Sequence, residues 1–144
     1  MKNLKMILEF DGSRYKGWQK QKDNDLTLQG EIESVLSKMA GENIQVTGCV
    51  RVDVGVHAEN YMANFHTDCD LSIEAIVDYL NEFLPEDIAV KSMFDASEKF
   101  HAGYNIKSVT YAYKINNNEL RDVFNRKYVY SCEAKLNLEE MRIT

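Results

Sequence analysis

The chain is short of the features that would declare its class at a glance. It has one proline, Pro85, and three widely spaced cysteines, Cys49, Cys69 and Cys132. An odd thiol count at that spacing gives no disulfide framework and suits a reducing compartment, so a cytoplasmic location is expected. No run approaches the ~18 apolar residues of a membrane span, and Met1 to Phe10 lack a signal-peptide core, so no membrane association is expected. His66 and Cys69 stand without a CxxC or HxxxH companion, which leaves no metal motif. Gly12 and Gly17 fit neither the phosphate-loop nor the dinucleotide spacing. Basic residues number 17 against 23 acids, and the net charge of −6 argues against a protein that is basic all over.

What is present is ordinary globular material: 144 residues, 44% apolar and 28% charged, near the size of one domain or two small lobes. The charge is segregated. Residues 1–22 hold six Lys and Arg against Glu9 and Asp11, and residues 99–130 hold six against Glu119 and Asp122. Residues 68–90 hold seven acids and no base. Two basic segments that met in the fold could serve a polyanion despite the sign of the total.

Strand and helix patterns alternate along the chain. Leu4, Met6, Leu8 and Phe10 read as one strand face, with Ile7 making it two-sided. A loop runs from Asp11 to Asp25. Thr27 caps a helix striped by Leu28, Ile32, Val35, Leu36 and Met39, and Gly41 ends it. Residues 44–50 and 60–67 read as strands. A second helix starts near Asp70 or Ser72, carries Ile73, Ile76, Val77, Leu80 and Leu84, and is stopped by Pro85. Its Glu74, Asp78 and Glu82 fit a solvated face. Residues 88–94, 108–115 and 127–130 read as strands, and Asn137 opens a last helical segment that runs to Thr144. The order β-α-β-β-α-β predicts an α+β, ferredoxin-like domain with a four-stranded antiparallel sheet and helices on one face. That unit is expected over 1–98, with 99–144 as the incomplete start of a second one.

Three groups of residues could carry chemistry. Arg51-Val52-Asp53, if extended, puts a guanidinium and a carboxylate on one side, which serves a held nucleophile or equally an ion pair that fixes a turn. His57 fits an acid/base or RNA contact, or a hydrogen-bonded structural histidine. The loop Gly12 to Lys22 has Arg14, Lys16, Lys20 and Lys22, the rings of Tyr15 and Trp18, the amides Gln19 and Gln21, and no acid. Such a set can neutralise phosphates and reach unstacked bases. The rings could instead plug the core. Val109, Tyr111, Tyr113 and Ile115 share one face of an expected strand, usually a core face.

Phe10-Asp11-Gly12-Ser13-Arg14-Tyr15-Lys16-Gly17-Trp18-Gln19-Lys20-Gln21 resembles the motif YDGSxYxGWQxQ, and Arg51-Val52-Asp53-Val54-Gly55-Val56-His57-Ala58 resembles RTDAGVHA. Leu84-Pro85-Glu86-Asp87-Ile88 and Phe100-His101-Ala102 fit further segments. Together they resemble the A family of tRNA pseudouridine synthases over about residues 5–130. The resemblance implies an isomerase of uridine in the tRNA anticodon arm, free of metal and nucleotide cofactor. Asp53 would be the nucleophile, Arg51 would pair with it and help flip the RNA, and Tyr111 would stack on the base. Family members resemble two ferredoxin-like halves around one cleft and work as homodimers on tRNA. Arg14, Lys16, Trp18, Gln19, Lys20, Lys22 and His57 are the expected RNA contacts.

There are departures. Val50, Val52 and Val54 replace the family's Gly, Thr and Ala, which predicts a crowded loop and a lost hydroxyl beside Asp53. Asn64 replaces a histidine, and Gly103 a basic residue. Family chains are nearly twice as long. A truncated or decayed copy with little turnover is therefore expected, prone to self-association. The alternatives are a non-catalytic RNA-binding or assembly module, or a folded remnant.

Overall fold

A computed structural model describes residues 1–23 and 26–143. The last residues of the expected loop, Asn24 and Asp25, and the end of the last helix, Thr144, lie outside the described residues. The chain divides into two units, Met1–Lys107 and Ser108–Thr144.

The first unit is built on β1, Lys2–Phe10, whose Leu4, Met6, Leu8 and Phe10 are no more than 4% exposed. α1 follows over Leu28–Ala40, with the Thr27 hydroxyl accepting from the Gly30 N–H and Gly41 closing its C-terminus. β2 is Val46–Gly48 and β3 is Ala58–Thr67. α2, Ile73–Phe83, is capped by Ser72, whose hydroxyl accepts from the Ala75 N–H. β4 is Ile88–Ala96. The sheet order is β2-β3-β1-β4 with every pairing antiparallel, the arrangement that two split βαβ units produce. α1 and α2 touch each other. Leu28, Ile32 and Leu36 of α1 and Ile76 and Leu80 of α2 join the inward residues of β1 and β3 in one core.

Helix side chains close both outer edges of the sheet at one point each. Val46 donates its N–H to Glu33 and accepts from the Gln29 amide, and Asn81 makes the same two bonds with Val90. β2 is accordingly shorter than the expected 44–50. Both pairings of β1 shift register near its end, between Ile7 and Leu8 against β4 and between Leu8 and Phe10 against β3. The chain leaves the sheet into its loops at that end.

The first compact unit runs on past β4 to Lys107, and hydrogen bonds on the sheet's second face tie residues 97–102 to it. Asn3 donates to the carbonyls of Ser97 and Phe100. Asn64 donates to Asn3 and to Phe100 O, and accepts from the Ala102 N–H at 2.8 Å. Asn64, standing where the family motif has histidine, thus straps residues 97–102 across β1 and β3.

The second unit carries little regular structure. β5, Ile115–Asn116, pairs in parallel with β6, Tyr130–Ser131, and α3 spans Leu138–Ile143. The strand expected over 108–115 shrinks to its last residue plus Asn116, and that expected over 127–130 to Tyr130–Ser131. Val109, Tyr111, Tyr113 and Ile115 form no core face; Tyr111 is 80% exposed. No helix among the described residues is long and apolar enough to cross a membrane.

Candidate active site and its supporting loops

Asp53 and Arg51 lie in the connection from β2 to β3, and both are exposed. No ion pair joins them, contrary to the expected pairing, and the Asp53 carboxylate has no hydrogen-bonded partner among the described residues. Val56 N–H donates to Asp53 O at 3.2 Å and turns the chain just after Asp53. The loop is fixed through its backbone. The Tyr61 hydroxyl, on β3, donates to Val50 O at 2.5 Å. Val52 O accepts from Trp18 N–H at 3.0 Å, and Gly55 N–H donates to Tyr15 O at 3.4 Å.

These bonds fasten the Asp53 loop to the loop after β1. Two glycines allow the contact. A Cβ on Gly12 would collide with Val56 O, and one on Gly17, which has φ +82°, would come within 2.5 Å of Val52 O. Gly12 also donates its N–H to His57 Nδ1 at 2.9 Å, and the same nitrogen lies 3.1 Å from Asp11 Oδ1. His57 therefore joins the two loops, the structural role open in the sequence. Asp11 Oδ1 accepts from Ser13 N–H and Oγ–H.

The valine replacements do not crowd this loop. Val50 and Val52 pack against the hydrophobic core, and Val54 is 71% exposed. The hydroxyl expected at 52 is absent, but the backbone carbonyl there holds the loop.

Several side chains of the basic loop have defined partners. The Arg14 Nε donates to Asp87 Oδ2 at 2.7 Å, and the Tyr15 hydroxyl donates to Asp87 Oδ1 at 2.6 Å. Burial would raise the Asp87 carboxyl, but the bonds from Arg14 and Tyr15 outweigh it and hold the group below the ordinary value. Burial first, then the bond to Asp87, raises the Tyr15 phenol. Lys20 pairs with Glu33 at 3.4 Å. Lys16, Gln19 and Lys22 are exposed. Trp18 is buried, 4.5 Å from the Tyr61 ring and 6.5 Å from Phe10 by centroids, so as an exposed base contact it is corrected: the ring fills the core.

The structure thus brings Trp18, His57, Asp53 and Arg51 onto two interlocked loops. Tyr111 belongs to the second unit. Sequence reasoning missed Asp87, Asp11 and Tyr61 as supports. Asp87 sits in the quoted segment Leu84 to Ile88, yet it also ends the acidic stretch, and that charge pattern suggested only solvation. Among the described residues no group of His, Cys, Asp and Glu is placed to hold a metal.

Comparison with known proteins bears on this geometry. A family model described as tRNA pseudouridine synthase matches residues 6–105, the stretch that contains both loops. The chain is 66% identical over 142 residues to tRNA pseudouridine synthase A 1 of Clostridium tetani, covering 99% of this chain and 58% of that protein. It is 46% identical to tRNA pseudouridine synthase A 2 of Bacillus cereus and 43% to tRNA pseudouridine synthase A of Clostridium acetobutylicum, with the same coverage. The chain spans a little over half the length of these relatives.

Proposed function

This chain belongs to the tRNA pseudouridine synthase family, and from that premise we propose that it isomerises uridine to pseudouridine in tRNA, at the anticodon arm, with Asp53 as the nucleophile. The observation that carries the reading is the exposed Asp53 carboxylate on a loop whose backbone is fixed at Val50, Val52 and Gly55. An exposed carboxylate with no hydrogen-bonded partner among the described residues can attack a nucleoside presented to it. The Asp53 carboxylate bonds to C1′ as the N1–C1′ bond of uridine breaks, and after the base turns, C5 displaces the carboxylate and forms the C5–C1′ bond. C5 loses its proton to solvent and N1 gains one, so no oxidant or co-reactant enters.

Arg51, exposed two residues before Asp53, serves the RNA backbone in this reading, where a flipped nucleotide has to be held. Lys16, Gln19 and Lys22 present the exposed polar surface of the neighbouring loop. Arg14 and Lys20 contribute charge from within ion pairs. Tyr111 stacks on the target base, and residues 99–144 are the start of a second domain. The protein works as a cytoplasmic homodimer, the dimer being supported by the exposed Tyr113, Leu120 and Phe124.

Transfer RNA labelled with tritium at uridine C5 tests the reaction, because forming the C5–C1′ bond releases that hydrogen. Slow release of label by the chain is the expected result, in keeping with the little turnover expected of it. Binding of the RNA without release would favour the non-catalytic module. Affinity should fall steeply with salt, and Lys16→Ser with Lys22→Ser should lower that slope by about two, one per phosphate contact. An unchanged slope would move the RNA surface elsewhere.

A further inference from the structure

We propose that Asp87 is a positioning residue for the loop that carries Asp53, acting through residues 11–15; its importance for catalysis rests on the reading of Asp53 given above. Asp87 lies in the short connection between α2 and β4, just after Pro85, where Ile88 N–H closes a turn onto Pro85 O at 3.0 Å. Its groups converge on one five-residue stretch. The two carboxylate oxygens accept from Arg14 and Tyr15, and its backbone carbonyl accepts from Asp11 N–H at 2.9 Å. The Asp87 side chain is 14% exposed while that of Arg14 is 58% exposed, so the carboxylate is the fixed partner and the arginine the one drawn to it.

The residues that Asp87 holds are the ones that hold the Asp53 loop. Tyr15 O accepts from Gly55 N–H, and Gly12 N–H donates to His57 Nδ1. Two hydrogen bonds, with Tyr15 between them, therefore separate the Asp87 carboxylate from Gly55, which stands two residues from Asp53. The second half of the same loop has a different anchor. Lys16 N–H donates to Leu26 O, and the N–H groups of Leu28 and Gln29 donate to Gly17 O and Trp18 O. The two anchors divide the work: the start of α1 fixes Lys16 to Trp18, and Asp87 fixes Asp11 to Tyr15. Loss of Asp87 should free the first half while the second half and the sheet stay in place.

Amide hydrogen exchange on the intact chain, followed by NMR, reads this directly and does not depend on turnover. In Asp87→Asn the amides of Gly12 and Gly55 are expected to exchange at least tenfold faster, while those of Met6 and Ala63 in mid-sheet change less than threefold. Tyr15→Phe, which keeps the buried ring and removes the hydroxyl that donates to Asp87 and accepts from Arg14, should move the same two amides in the same direction by at least threefold, and carries the test should Asp87→Asn not fold. A uniform rise across all four amides would reduce Asp87 to general stability and overturn the proposal. Unchanged Gly12 and Gly55 amides would overturn it equally. Label release by Asp53→Asn, measured separately, decides the role of Asp53, so the two ideas stand or fall apart.

Discussion

Two stretches with the same alternation end differently in this molecule. Along β1, Leu4, Met6, Leu8 and Phe10 take every second position, with Lys5, Ile7 and Glu9 between them, and are buried; along residues 109–115, Val109, Tyr111, Tyr113 and Ile115 take every second position as regularly and are exposed. The difference lies in the neighbours. β1 has β3 on one side and β4 on the other, which makes a sheet wide enough for the apolar sides of α1 and α2 to pack on. Of the second stretch only Ile115 finds a strand partner, Tyr130. Alternation states which face a residue would take, and partner strands decide whether the face exists.

That contrast sets the order of expected effects on stability. Trp18→Ala removes a buried ring between Phe10 and Tyr61 and should cost about 3–5 kcal/mol, whereas Tyr111→Ala should stay within about 0.5 kcal/mol. Denaturant unfolding of both variants measures this. Comparable losses would mean that Tyr111 is packed and that the contrast between the units is false.

Gly17→Ala should have a smaller effect, about 1–3 kcal/mol, because the residue takes a left-handed φ of +82° and its new Cβ would press on Val52 O. Gly41→Ala meets nothing within 4 Å, although its φ of +68° is also left-handed, so the difference between the two variants isolates the contact between loops. Equal costs would remove that contact from the account of the site.

The smallest effect is pH-dependent. The Asp87 carboxyl is held below its ordinary value in the fold, so its contribution is present above about pH 4 and is lost as pH falls through the depressed value. The stability gap between the parent and Asp87→Asn should therefore be constant from about pH 7 down to about pH 5 and close below about pH 4. Thermal unfolding across that range checks the sign, and a gap that widens on acidification would reverse it.

Most of the first unit was legible because its signals are local. Thr27, Gly41, Ser72 and Pro85 mark helix ends by their own chemistry, and the apolar stripes of both helices need no knowledge of the partner. The identity of the loops was legible in their two motifs. Their support was not, since a backbone bond such as Trp18 N–H to Val52 O leaves no mark on residue type. Trp18 shows the same limit: a ring in a basic loop can meet a base or the core, and only the approach of Tyr61 and Phe10 settles which. Asp87 was masked by the acids around it, because its function depends on Arg14 and Tyr15, more than seventy residues earlier in the chain. The attachment of residues 97–102 depended on Asn3 and Asn64, polar residues inside strands that periodicity treats as surface.

The most direct measurement is release of C5 tritium from tRNA by the parent chain and by Asp53→Asn, with RNA affinity and unfolding recorded for both. Asn keeps the shape of an exposed, unpartnered side chain, so fold and affinity should not change, while label release should drop by far more than tenfold. Release by Asp53→Asn within tenfold of the parent, a barrier change under about 1.4 kcal/mol, would contradict Asp53 as the nucleophile.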